Sequence, residues 1–228
     1  MKSCKDYRDQ AANKLSGKMA PVVTGTLIFM LIDLFVSLNT NSYQSVFQHL
    51  VRPEVLVPAF MSRFSWIIFG SLISLLLVMP LTYTYETIFL RVARNEDFRN
   101  FTGLMFSNFN SKNYGRALEL PFLTTVYVFL WTLLFIIPGI VKSYSYAMAF
   151  YISKDNPELS AEGCIRESRN MMDGYKGKLF LLDLSYIGWL LLCLLTCGIL
   201  TLWVKPKMSA AHSLFYEDLK AVQGNRSL

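Results

Sequence analysis

The chain has 228 residues, of which 53% are apolar or aromatic and 17% charged; its net charge is +6 and its mean hydropathy +0.35. Seventeen Phe, twelve Tyr and four Trp, with the charges gathered into short stretches, exclude a disordered chain and an ordinary water-soluble enzyme. Four Cys are too few for a secreted disulfide scaffold, so lipid rather than water is the expected main solvent.

In chain order, an amphipathic segment comes first. Cys4, Tyr7, Ala11, Ala12 and Leu15 recur at steps of three and four, opposite Lys5, Asp6, Arg8 and Asp9. A hydrocarbon layer ~30 Å thick takes roughly 20 apolar helical residues, and Met19–Leu38 supplies the first such stretch. No short apolar core with a small-residue cleavage site precedes it, so this span is expected to be retained. Asn39–Arg63 forms a long connection in which Tyr43, Val46, Phe47 and Leu50 suggest another surface helix; a second span is predicted over 64–92. A weaker amphipathic segment follows, carrying Phe98, Phe101, Met105 and Phe109.

The apolar block 120–152 is too long for one crossing. Ile137-Pro138-Gly139-Ile140 near its middle predicts a tight hairpin between spans 118–137 and 139–153. A third amphipathic segment sets Ala161, Cys164, Ile165, Met171 and Met172 against Glu162, Arg166, Glu167 and Arg169. The last apolar block divides at Thr196-Cys197-Gly198-Ile199 into spans 178–196 and 198–216, with 219–228 as a tail. The expected fold class is therefore all-α: a polytopic membrane protein of six transmembrane helices. The amphipathic segments 4–16 and 160–173 are expected to lie flat on the membrane, their apolar faces against acyl chains.

Seventeen Lys and Arg fall on the side holding both termini, against Arg52 and Arg63 in the first hairpin's connection. The positive-inside rule then makes both termini cytoplasmic, and the basic face is one for anionic lipid, with no call for nucleic acid. Cys4, Cys164, Cys193 and Cys197 read as small packing residues, since no His or carboxylate joins them at metal-ligand spacing.

Aligning Phe89, Phe150 and Phe215 matches 80–90 with 141–151 and 206–216, at spacings of 61 and 65 residues. Tyr83 then falls on Tyr144 and Ser209, Tyr85 on Tyr146 and Ala211, and Pro80 on Pro206. With the amphipathic segments and the elbows Gly17-Lys18, Gly115-Arg116 and Gly174–Lys178, the chain reads as three parallel repeats in a single membrane domain, approximately 3–92, 98–153 and 159–218. Each repeat is an interfacial helix followed by two spans, and a pseudo-threefold bundle follows.

The runs IPGIVKSYSYAMAFYI (137–152) and SAEGCIRESRNMMDGYKGKLFLLDLSYIGW (160–189) resemble the bacterial integral-membrane family known as domain of unknown function 975, over roughly residues 5–219. Ser168, Met171, Met172, Gly174, Lys178, Phe180 and residues 184–189 carry the most specific part. The resemblance implies a bacterial inner-membrane protein and brings no activity, cofactor or catalytic residue. The organisation is also similar to the membrane domain of some bacterial glycerophosphodiester phosphodiesterases, which implies a lipid-facing accessory role.

Charges inside a span cost ~2.5–3.5 kcal/mol at the bilayer centre and need a partner, water or a purpose. Asp33, Glu86, Lys142, Asp183, Lys205 and Lys207 are such charges. If the second helix of each repeat lines the axis, Lys142, Lys205 and Lys207 form the positive part of a central polar cavity, with Glu86 and Asp183 as counter-charges and Tyr144, Tyr146 and Ser209 on its wall. The alternative is structural: Lys142 reaches the outer surface while Lys205 and Lys207 pair with Glu86 or Asp183. His212 is expected to be a satisfied packing residue.

No phosphate-binding Gly loop, His pair for a metal or nucleophile elbow appears, and no cofactor is implied, so an enzyme is not expected. The expected function is to bind lipid, an anionic amphiphile or a membrane protein partner through the central cavity. The alternative is a small-solute transporter or channel using the same Lys, Glu and Asp residues.

Overall fold

A computed structural model describes residues 2–40, 74–96, 100–110, 114–196 and 198–224. The connection 41–63, the beginning of the second span, Phe98 and Cys197 lie outside the described residues, as does the side chain of Asp33. The described residues are helical and contain no strand.

Helix α1 (Cys4–Leu15) begins because Ser3 and Asp6 cap each other: the Ser3 hydroxyl accepts from the Asp6 amide, and the Asp6 carboxylate from the Ser3 amide at 2.9 Å. It ends in an elbow at Gly17, φ +76°, and the chain turns 100° into α2 (Met19–Thr40). Gly174 makes the matching elbow, also at φ +76°, a backbone region open to Gly at no steric cost. A π-helical turn (Ser74–Val78) leads into α3 (Met79–Ala93). The middle amphipathic segment is a short helix, α4 (Phe101–Met105), and a 3-10 turn (Ser107–Asn110).

Helix α5 (Tyr114–Leu134) is, among the described residues, the one single helix long and apolar enough to cross a membrane. Its partner in the hairpin is α6 (Ile136–Tyr146). The turn between them is one extended residue, Phe135 (φ −157°, ψ 141°), and lies upstream of the Pro138-Gly139 pair from which the sequence predicts it. Pro138 sits in the first turn of α6, where its missing N–H costs nothing. Gly139 serves instead for close approach, since a Cβ there would lie 2.2 Å from the Thr132 hydroxyl of α5.

The chain continues as α7 (Ala149–Asp155), α8 (Ala161–Met171), α9 (Lys176–Leu184), α10 (Ile187–Leu195) and α11 (Thr201–Gly224). Predicted span 139–153 is thus broken between α6 and α7, and span 178–196 bends by 41° between α9 and α10. Span 198–216 is one continuous helix from Thr201 onward, but Lys205, Lys207 and His212 make it too polar to pass as a single apolar crossing. Each break is served by a side chain from another helix. The buried Ser168 hydroxyl of α8 donates to the Ser145 carbonyl at 2.8 Å and accepts from the Met148 amide at 3.2 Å, while Arg8 of α1 donates to the Ser185 carbonyl at 2.9 Å.

The amphipathic helices correct a second expectation. Tyr7, Ala11 and Leu15 of α1, Phe101 and Met105 of α4, and Ala161, Cys164, Ile165 and Met171 of α8 are buried inside the protein, so these faces meet helices rather than acyl chains. Helix α1 packs on α11 and α9, α4 on α2 and α3, and α8 on α5, α6 and α7. Aromatic rings fill these seams: Tyr7 against Phe215, and Phe101 against both Tyr85 and Phe89.

Candidate functional site

Two groups of polar residues lie among these helices. In the first, Glu86 of α3 accepts hydrogen bonds from Tyr151 of α7 (3.4 Å) and Ser209 of α11 (3.3 Å), with His212 and Lys205 in electrostatic reach. His212 Nε2 lies 2.6 Å from Asp183 Oδ1 of α9, and Tyr144 of α6 faces the same carboxylate. Lys205 Nζ sits 4.4 Å from the Phe29 ring and 5.2 Å from that of Tyr85. The network therefore ties α3, α6, α7, α9 and α11 together, and its carboxylates already hold donors.

The second group lines a cavity of about 180 Å³ between α1, α10 and α11. Lys207, Arg8 and Asp9 occupy its charged part; Trp189, Trp203, Leu200 and Val204 its apolar part. Lys207 Nζ is 6.0 Å from the Trp189 ring centre.

Of the predicted site residues, Glu86, Asp183, Lys205, Ser209 and Tyr144 come together. The three lysines expected to share one positive site have three different sets of neighbours: Lys207 lines the lateral cavity, and Lys142 Nζ lies 4.5 Å above the Trp131 ring near the hairpin tip. Tyr146 is buried against Tyr127 and takes no part in the network. His212 is satisfied, as expected, but by an ionisable partner. Sequence reasoning missed both Tyr151 and His212 as members of the site; for His212 a signal is available, since it falls on the same repeat position as Glu86.

At the basic end, a further cluster sits outside the proposed spans. Asp155 accepts both Arg94 Nη2 contacts (2.8 and 2.7 Å), Lys220 (2.6 Å) and Tyr216 (3.0 Å), and Arg94 also donates to Glu217 (2.7 Å). Burial pushes the Asp155 carboxyl up, but the Lys220 and Arg94 donors outweigh it and hold the group below its ordinary value. Asp218, bonded to Tyr7 and Lys2, is depressed in the same way against a smaller burial. No group of three or more His, Cys, Asp or Glu suited to a metal ion occurs among the described residues.

Residues 133–223 match the model of the family described as protein of unknown function (DUF975). The match runs from the α5–α6 hairpin through α11; the earlier residues over which the resemblance was read lie outside it. Within the matched segment, Ser168 serves the α6–α7 break, Met172 is fully buried and Gly174 makes an elbow. No curated protein and no solved structure matches the chain.

Proposed function

We propose that the chain is a non-enzymatic integral membrane protein that binds an anionic amphiphile, membrane lipid first among its partners, in the cavity beside Lys207. The observation that carries this is the grading of one face of α11. Leu200, Trp203, Val204 and Lys207 follow one another at helical spacing over ~10 Å, so the cavity passes from apolar to cationic along a single groove. An alkyl chain fits against Trp189, Trp203 and Leu200, and an anionic headgroup against Lys207 and Arg8. The binding place thus moves from the bundle centre to its side, because the central carboxylates are engaged by neighbouring side chains.

The proposed setting is six crossings in three parallel repeats, in a bacterial inner membrane with both termini cytoplasmic. Three contacts support it. Arg94, Asp155 and Lys220 stand at one repeat position and meet each other. Glu86 and His212, again one repeat position, share the central network. Each amphipathic helix lies mainly on the preceding repeat, with the first on the third, as in a closed ring.

A transporter or channel is the second reading, favoured by the continuity of Lys205, Glu86, His212 and Asp183 across three helices. Native mass spectrometry of the purified protein from mixed phosphatidylglycerol and phosphatidylcholine membranes separates the two. Amphiphile binding predicts preferential retention of the anionic lipid, reduced roughly tenfold by Lys207→Met and untouched by Glu86→Gln. Equal retention in Lys207→Met, together with proteoliposome flux abolished by Glu86→Gln, replaces the first reading with the second.

A further inference from the structure

On the other side of α3, two adjoining cavities of about 20 and 230 Å³ lie between α3, the 3-10 turn, α5 and α7. They share Asn108 and Lys154. Arg91, Thr84, Thr87 and Ser107 are the other polar residues lining the smaller one, and Tyr83, Ser153 and Arg116 those lining the larger. Among the described residues, no carboxylate lines either cavity. The larger volume is several times the ~30 Å³ of one water.

Among the described residues the acid beside these cations is Glu96, and it does not line the cavities. Arg116 spends its guanidinium on neutral acceptors: Ser153 Oγ at 2.7 Å, the carbonyls of Asn156, Pro157 and Leu159, and Cys164 Sγ. Arg91 reaches Glu96 only at 3.9 Å, on the exposed side. Lys154 makes no hydrogen bond or ion pair among the described residues; burial, with Arg91 nearby, pushes its ammonium below the ordinary lysine value against a smaller opposing pull from Glu96. A cation in the last turn complements the dipole of its own helix, but that does not require the last turns of α3 and α7 to aim cations at each other. Hydrogen bonding is available too: Asn108 gives one amide hydrogen to Thr84 (2.9 Å) and keeps a second, and the Tyr83–Ser153 hydroxyl pair at 3.3 Å leaves a hydroxyl proton for another acceptor.

We infer that this cleft binds a phosphate group, between the Lys154 ammonium on one side and Arg116, Arg91 and Asn108 on the other. Three cations, with no acid among the described lining residues, share a partly enclosed polar space; an anion there lessens their mutual repulsion, and Lys154 and Asn108 have hydrogens to give it. Arg91, Lys154 and Arg116 stand at the ends of α3 and α7 and the beginning of α5, the level at which apolar sequence gives way to basic. The phosphate is carried by a phospholipid headgroup or by a soluble molecule. The site shares no residue with the cavity beside Lys207.

The test uses the full chain in detergent, with Lys154→Met as the variant and Lys154→Arg as the charge-preserving control. Phosphatidylglycerol and phosphatidylcholine retention is read by native mass spectrometry, and thermal unfolding against inorganic phosphate, with chloride at matched ionic strength. Loss of phosphatidylglycerol retention by about tenfold in Lys154→Met, restored in Lys154→Arg, supports the site with a lipid as its source. A phosphate-dependent rise in unfolding temperature that vanishes in Lys154→Met supports it with a soluble source. Lys154→Met indistinguishable from the parent with both probes overturns the inference, and if the lipid defect is then found in Lys207→Met alone, the other cavity stays in place.

Discussion

The two ends of the helix bundle are built for different surroundings. Where α3, α7 and α11 converge, Phe89, Phe215, Leu15 and Met172 are at most 1% exposed, and charged side chains are knitted by hydrogen bonds. At the hairpin tips the largest side chains point outward: Leu133, Ile137, Leu194 and Leu195 are 74 to 82% exposed. Composition alone does not distinguish these ends, since both are rich in Leu, Ile and Phe. Burial does: the basic end is packed, and the tips carry large apolar side chains that the protein leaves uncovered.

That contrast predicts a graded response to mutation. Phe89→Ala, which empties the seam between Tyr85 and Phe101, should cost about 3–5 kcal/mol in reversible unfolding in detergent. Asp155→Asn should cost about 2–3 kcal/mol, because Arg94 and Lys220 are then left facing each other. The same carboxylate sets a pH signature. Since the folded value lies below the ordinary 3.8, its stabilisation is complete above that value and is lost as the pH falls through the folded one. Unfolding measured from pH 7 down to ~3 should show a loss of stability below pH ~4 that Asp155→Asn diminishes. Leu195→Ala, at a tip, should change stability by less than ~0.5 kcal/mol, and a loss as large as that of Phe89→Ala would erase the contrast.

Features set by a few neighbouring residues were legible in the sequence. The amphipathic stretches at 4–16 and 160–173 became α1 and α8 because Ser3 and Ser160 provide N-caps next to a regular apolar stripe. The stripe does not say what covers it: an acyl chain and a neighbouring Leu are equally apolar, so the burial of Tyr7 and Cys164 by other helices was hidden. The Phe135 turn was hidden as well, because one extended residue has no signature and Pro138-Gly139 next to it is a strong one. Glu86 and Asp183 stood out because charge is costly in a span. The grouping of the lysines failed for a rotational reason. Depth along a helix says nothing about azimuth, and Lys205 and Lys207, two residues apart, are turned ~200° from each other, toward Phe29 and Trp189.

The docking of α1 on α11 also fixes an order of assembly. Helix α1 is made well before α11, so until α11 emerges the Tyr7–Ala11–Leu15 stripe lacks its main partner within the protein. In the proposed membrane setting, lying on the bilayer surface covers that stripe in the meantime, which would make membrane attachment of α1 a waiting state. Arrival of α11 supplies Phe215 for Tyr7 and, through Asp218, an acceptor for the Tyr7 hydroxyl at 2.8 Å. Nascent chains halted before residue 201 should therefore keep α1 on the lipid and open to proteolysis, and closure of the bundle should arrive in one late step.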